Sequence, residues 1–253
     1  MGYLTRLSVL AAVAAATIAT VSADSRELPA KAVKDTGAHA GDIRHAFEKF
    51  GRLLGEQDNE SGPPAHRGRR SINWDGAGVP FKMPGDFFNT VVPHGAVFHA
   101  KGGEFRVSNP PREQHIDDDR FSSINKKLSK QIKTFSPKRL FTPLKGNVME
   151  VRFEVPGKRG VKATTTGFGA VFVDLDHDHV TSLEYFDAHR RRLAKAFVPS
   201  KKGGLSFLGV VFNKPVVSYV RMTLGNRKVT DHDDGHGDVV VADDFVYGEP
   251  QRS

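Results

Sequence analysis

The sequence predicts an all-β sandwich, and three observations carry that prediction. From Ser71 onward, apolar residues recur with period two in short runs. Gly, Pro, Asn and Asp separate the runs, giving roughly ten short strands joined by turns. No helical segments alternate with them, so nothing supplies the crossovers a parallel sheet needs.

Taken in chain order, residues 1–23 read as a secretory leader. Arg6 precedes an alanine-rich apolar run, no acid occurs before Asp24, and Val21-Ser22-Ala23 places small residues where a signal peptidase cuts. The run is shorter than the roughly 20 residues that span a bilayer, so export without a transmembrane anchor is expected, with cleavage after Ala23. Cleavage removes Arg6 and no acid, so the formal charge of +8 falls by one. An exported chain this basic suits anionic polymers or a membrane surface, and the expected partner is a glycan or anionic cell-surface polymer. Its dispersed Lys and Arg argue against nucleic acid. The chain has no cysteine, which excludes disulfides and thiol chemistry and leaves core burial to hold the fold.

Residues 24–70 are expected to hold a spacer, an amphipathic helix and a linker ahead of a β-sandwich domain at 71–250. The mixed charge of residues 24–40 shows no period and predicts a disordered spacer or pro-segment. Over 42–54, Ile43, Ala46, Phe47, Phe50, Leu53 and Leu54 fall at helical spacing, with Asp42 to cap the first turn and Gly55 to end the last. A lone amphipathic helix is marginal, so docking on the main domain is expected over partner binding. Residues 56–70 are polar and rich in Pro and Gly, a linker whose Arg67–Arg70 end reads as solvated charge or a processing site.

Strands are expected at 72–74, 87–92, 96–98, 105–107, 148–155, 167–173, 180–186, 193–198, 205–212, 216–224 and 239–247. The clearest is 148–155, where Met149, Val151, Phe153 and Val155 alternate with Glu150, Arg152 and Glu154. Residues 110–138 interrupt the pattern with a long charged insertion, in which Leu128, Ile132 and Phe135 mark a short helical turn.

Several strings together resemble a family of exported, largely bacterial proteins. They are Ile72-Asn-Trp-Asp-Gly76, Pro84-Gly-Asp-Phe-Phe-Asn89, Thr134-Phe-Ser-Pro137, Arg139-Leu-Phe-Thr142, Gly167-Phe-Gly-Ala-Val-Phe172, Leu183-Glu-Tyr-Phe-Asp187, Gly204-Leu-Ser-Phe-Leu-Gly209 and Asp243-Asp-Phe-Val-Tyr-Gly-Glu-Pro250. The resemblance covers about residues 72–250 and implies a jelly-roll β-sandwich, similar in style to galactose-binding-like carbohydrate-binding modules. The chain departs from the family pattern at 110–133, which is longer and more charged, and at Ala188-His-Arg-Arg-Arg192, where a neutral turn is usual.

Metal chemistry has three candidate locations. Asp174, Asp176 and Asp178 share one face of an extended chain and His177 and His179 the other. Hard carboxylate oxygens suit Ca²⁺, the histidines leave a transition-metal site open, and a solvated acidic turn needs neither. Residues 231–238 form a second Asp/His cluster, but Gly235 and Gly237 argue against the helix on which His232 and His236 would share zinc, so a surface loop is expected. The resemblance implies the third. In jelly-roll modules of that style the first and last strands lie side by side and can share a structural calcium, which names Asp75, Asp243 and Asp244. Strand alternation lets only one of Asp243 and Asp244 face inward.

Catalytic signatures are absent: there is no nucleophile elbow, HExxH or phosphate-cradling glycine loop. Glu150 and Glu154 fit either a glycosidase pair or a solvated strand face. Trp74, the only Trp, and Tyr185, Tyr219 and Tyr247 fall in strand patterns and are expected in the core. Basic runs at 126–133, 138–139, 158–162, 190–192 and 201–202 fall in expected loops, as a patch for an anionic polymer or as scattered solvated charge. The expected function is a secreted, non-catalytic binding module, carbohydrate-binding and stabilised by Ca²⁺. The alternatives are a structural or adhesion protein of the cell surface and, third, a hydrolase with an unrecognised site.

Overall fold

The computed structural model describes residues 30–76, 78–108, 119–234 and 236–253, with the backbone of Thr17–Thr20. The expected cleavage point after Ala23, the other residues of 1–29, and 109–118 of the insertion lie outside the described residues. In chain order the elements are β1 (Thr17–Thr20), β2 (Ala30–Gly37), α1 (Ala40–Leu54), β3 (Arg69–Ile72), β4 (Lys82–Met83), α2 (Phe87–Thr90), β5 (Ala96–Ala100), β6 (Phe105–Val107), β7 (Phe141–Pro143), β8 (Val148–Phe153), β9 (Ala163–Thr164), β10 (Gly167–Leu175), β11 (Ser182–Phe186), β12 (Arg192–Phe197), β13 (Lys201–Phe212), β14 (Tyr219–Thr223), β15 (Val241–Gly248) and β16 (Gln251–Arg252).

The protein is mostly β, built on two large antiparallel sheets packed together, with β9 and β16 paired as a separate two-stranded sheet. The larger runs β1-β2-β13-β10-β15-β7-β6-β4, with β3 also paired to β15. The smaller runs β12-β11-β14-β8-β5. Between the sheets lies one aromatic-rich core, with Phe168, Phe172, Phe245 and Tyr247 from the large sheet facing Met149, Val151, Tyr185 and Val220 from the small one. Trp74 lies fully buried here, stacked on Phe141 at 4.2 Å, and its Nε1 donates to the Asp243 carbonyl.

The large sheet is covered on its other face as well. Ile43, Ala46, Phe50 and Leu54 of α1, and Phe121, Leu128, Ile132 and Phe135 of the insertion, pack on Val171, Val173, Phe207 and Val246. Consequently β10 is buried at every position and does not alternate. Phe50 reaches the sheet because glycines lie beneath it: Gly169 and Gly209 are cross-strand partners, and a Cβ on Gly209 would stand 2.6 Å from the ring. Asp42 does not itself cap α1. It sits in the first turn, and its carboxylate accepts the His39 N–H at 2.9 Å.

Four local expectations are corrected or narrowed, for identifiable reasons. Within the expected spacer, β2 pairs along its whole length with β13 and buries Ala32 and Val33, while Lys31 and Lys34 stay exposed and give the stretch its mixed charge. Part of 87–92 is the short helix α2, because the Asp86 carbonyl takes the N–H groups of Asn89 and Thr90. Residues 119–140, in an insertion whose length suggests a functional or a disordered loop, pack as a cover on the sheet, with the expected helical turn at Leu128–Lys130. Arg70 is not solvated charge: it is fully buried in an ion pair with Glu249.

Candidate functional site

Asp75, Asp243 and Asp244 meet. The Ser136 hydroxyl lies 3.0 Å from Asp75 Oδ2, 3.1 Å from Asp243 Oδ1 and 2.8 Å from Asp244 Oδ1. The Phe135 N–H donates to Asp243 Oδ2 and the Arg139 N–H to Asp75 Oδ1. Both Asp243 and Asp244 take part, against the expectation of opposite faces. The reason is a break in register: Ala170 pairs with Phe245 and Phe172 with Ala242, so two residues of β15 oppose Val171 alone. Such a bulge cancels the alternation.

One hydroxyl proton cannot satisfy three carboxylates, so this cluster must hold further protons or a cation. Burial pushes the Asp243 carboxyl well above its ordinary value, the adjacent Asp244 charge adding to the effect. Burial likewise pushes Asp244 up to about 6 and raises Asp75. The sign of the linkage follows. A carboxyl whose folded value is raised stabilises the fold fully below its unfolded value, and that contribution is lost as pH rises through the folded value. For Asp244 the window runs from the ordinary 3.8 to about 6. In EDTA, the stability of the wild type relative to Asp244→Asn is therefore expected to fall between pH 4 and pH 7, measured by urea denaturation. A constant difference across that range would contradict the assignment.

The Asp/His hinge and the 231–238 loop also meet, at one end of the sandwich. Asp174 sits in a left-handed conformation (φ 61°) where the β10–β13 register breaks, and its Oδ1 accepts the Gly203 N–H at 2.7 Å. Asp238 Oδ2 accepts the N–H groups of Asp176 and His177, both at 3.0 Å. Asp176 Oδ2 holds the Lys202 ammonium at 2.7 Å. Asp233 accepts the Val239 N–H. Burial pushes Asp174 and Asp238 each up to about 6, with the Asp176 and Asp233 charges reinforcing it, and burial raises Asp233 too. Asp178 is not part of this group: it is exposed and accepts the Ser200 hydroxyl. The His179 ring packs on Phe197.

Among the described residues no group of three or more His, Asp or Glu side chains is arranged to hold a metal ion as the structure stands. A hydroxyl stands amid the first cluster and an ammonium grips the second.

The third feature is the outer face of the small sheet. Register aligns two rows of side chains across its strands. One row is Lys195, Glu184, Arg221, Glu150 and His99; the other is Phe186, Tyr219, Arg152 and Val97. In the first, Glu150 takes Arg152 at 2.7 Å and Arg221 at 3.0 Å, and Glu184 takes Lys195 at 3.3 Å. In the second, Phe186 and Tyr219 stack at 4.7 Å, with Arg152 over Tyr219 and Arg221 over Phe186. His99, Glu150, Arg152, Tyr219 and Arg221 of these rows line a groove of about 550 Å³, with Glu154, Lys162, Asp187 and Arg190 among its other lining residues.

Glu150 and Glu154 both line this groove, and each has partners of its own. Burial pushes the Glu150 carboxyl up, but the hydrogen bonds and charges of Arg152 and Arg221 outweigh it and hold the group below its ordinary value. Glu154 is held by Asn89 and the Gly160 N–H. Trp74, Tyr185 and Tyr247 are core residues, whereas Tyr219 is not. Sequence reasoning missed Ser136, Asp233 and Asp238. The 231–238 cluster was a signal for the last two, but nothing local revealed that it folds against the hinge. No helix among the described residues is long and apolar enough to cross a membrane. No protein-family model matches the chain, and no curated protein matches it.

Proposed function

We propose that the protein is a secreted, non-catalytic binding module whose ligand is a glycan, held in the groove on the small sheet. The single observation carrying this reading is Tyr219, backed by the buried Phe186 ring and set in the groove lining beside Arg and Glu side chains fixed in ion pairs. A sugar ring offers an apolar face to the Tyr219 ring and hydroxyls to Glu150, Arg152 and Arg221. Lys162 and Arg190 in the groove lining favour acidic sugars over neutral ones. The absence of catalysis rests on Glu150 and Glu154, each committed to charge or hydrogen-bond partners. The jelly-roll topology and the family resemblance belong to this proposal.

The experiment is a glycan array, followed by calorimetry on whichever acidic glycan binds. Tyr219→Ala is expected to weaken binding about tenfold or more, the loss typical of a central aromatic contact. Binding to no glycan, with retention on cell-wall material, would replace this reading by the adhesion alternative. Undiminished binding by Tyr219→Ala would remove the ligand from the groove.

Calcium stabilisation attaches to Asp75, Asp243 and Asp244. Their oxygens, with the Ser136 hydroxyl, are hard donors of the type Ca²⁺ takes, and binding would require them to rearrange around the ion. A bound ion would replace the protons this cluster otherwise keeps. EDTA is therefore expected to lower the melting temperature at pH 7.5 and to matter far less at pH 4.5. An unchanged melting temperature at pH 7.5 would sink the idea.

A further inference from the structure

The groove on the small sheet does not end at the last strand. A second depression of about 360 Å³ adjoins it, lined by Gly85, Asp86, Val97, Phe98 and Arg159, and His99 and Glu154 line both. β5 is the edge of the small sheet, yet its backbone is not bare here: the Phe98 N–H donates to the Gly85 carbonyl at 2.7 Å. A Cβ on Gly85 would collide with the Phe98 carbonyl oxygen, so only glycine lets the two backbones press together. Gly85 thus carries the surface past β5.

One hairpin lines both compartments. It runs from Glu154 to Lys162, which bridge each other, and gives Gly160 and Lys162 to the groove and Arg159 to the extension. Its base is pinned. Glu154 Oε2 accepts the Gly160 N–H at 2.9 Å and the Asn89 side-chain amide at 2.7 Å, and Asn89 Oδ1 accepts the Gly157 N–H at 2.8 Å. The 187–191 turn, which also lines the groove, is fixed by Asp187 Oδ1, acceptor of the His189 and Arg191 N–H groups. Both linings are therefore set before a ligand arrives.

Two of the basic runs in the sequence, 158–162 and 190–192, meet here. Charge is nevertheless uneven between the compartments. In the groove Arg152 and Arg221 are spent on Glu150, whereas Lys162 and Arg190 enter no ion pair among the described residues. In the extension Arg159 is paired with Asp86 at 3.2 Å, and Glu154 enters no ion pair among the described residues. His99 adds no charge at neutral pH, because burial lowers its pKa and the Arg152 guanidinium reinforces the effect. The spare charge is positive in the groove and negative in the extension.

Resting on the glycan reading of the groove, we propose that the ligand is a linear glycan lying across both compartments, with an acidic sugar at Lys162 and Arg190 and a neutral sugar in the extension. Each depression falls in the range of small-ligand sites, roughly 300–1,000 Å³, so together they hold more than one sugar ring. A chain with an acid on every unit would bring its second acid against Glu154 and Asp86. An alternating acidic and neutral repeat meets both environments.

Calorimetry at pH 7.5 with alternating glucuronate–N-acetylglucosamine oligosaccharides tests this. The tetrasaccharide is expected to bind about tenfold more tightly than the disaccharide. A galacturonate tetrasaccharide, acidic at every unit, is expected to gain much less over its own disaccharide. Asp86→Asn removes a carboxylate that makes no capping bond to α2, and it frees Arg159. It is expected to tighten the galacturonate tetrasaccharide about fivefold, the effect of one unit charge a few ångströms away in water. Val97→Trp fills the extension and is expected to bring the alternating tetrasaccharide down to the affinity of the disaccharide. Equal affinity for disaccharide and tetrasaccharide, with binding still lost in Tyr219→Ala, would overturn the extension and leave the groove as a glycan site. Galacturonate binding as tightly as the alternating chain would overturn the neutral subsite. If neither series binds, the inference falls; if the glycan array is blank as well, the reading it rests on falls with it.

Discussion

Replacing Glu249 with Ala is expected to destabilise the protein by about 3–5 kcal/mol, read as a lowered urea midpoint. Glu249 takes Arg70 in two parallel bonds, Nε to Oε2 at 2.7 Å and Nη2 to Oε1 at 2.8 Å. Both side chains are all but excluded from water, at 0% and 1% exposed. The guanidinium also donates to the carbonyls of Glu60, Gly62, Pro63 and Pro93, and Glu249 accepts from Asn59 and the Ala65 N–H. Removing the carboxylate strands a cation that cannot shed its proton. The polar linker over 56–68 should also become more open to added protease, because this pair is one of the main ties holding it to the sandwich. The double change Arg70→Met/Glu249→Met is expected to cost much less than the sum of the two single changes, since it leaves no buried charge unpaired. A Glu249→Ala loss below about 1 kcal/mol would show that water reaches the pair.

The second large effect lies under α1. Phe50→Ala is expected to cost about 3–5 kcal/mol, as for a buried aromatic whose cavity cannot collapse. Gly209→Ala should approach that figure from the opposite direction. Its new methyl would meet Phe50 ring atoms at 2.6–2.7 Å, and the ring is flanked by Phe207 and by Gly169 on the neighbouring strand. The helix must lift or the ring must leave. Combining the two changes gives the decisive measurement: Gly209→Ala made in a Phe50→Ala background is expected to be nearly neutral, because the obstacle is gone. Additive losses would mean the glycine serves the strand and not the helix.

These cases mark what the chain discloses on inspection. Period-two runs such as Met149, Val151 and Phe153 are legible because the small sheet buries one face and wets the other. The large sheet is covered twice, so β10 reads as an unbroken apolar run, and β2 reads as spacer because it borrows its order from β13. Asp75, Asp243 and Asp244 could be paired by analogy, but the bulge that turns both β15 acids to one side is a property of register, which composition does not encode. Asp174 and Asp176 stood out by their spacing. Asp238 was legible within the 231–238 cluster, but its place against the hinge was not, because its partners are backbone N–H groups of a distant turn. Arg70 looked like any arginine of a basic linker until its carboxylate proved to lie 179 residues away.

The place of β15 has a consequence for how the molecule comes into being. It is the last long strand of the chain, yet it lies inside the large sheet, with β10 on one side and β3 and β7 on the other. During synthesis the earlier strands emerge with no partner at the middle of their sheet. Closing a gap of this length is entropically slow, and little native contact rewards it beforehand. A nascent chain that stops short of residue 241 therefore stays an open, protease-sensitive polymer, and the sandwich commits to its final shape only after β15 is made. The chain remains threadable until then, and a cut just before residue 241 removes the keystone of the large sheet rather than its fringe.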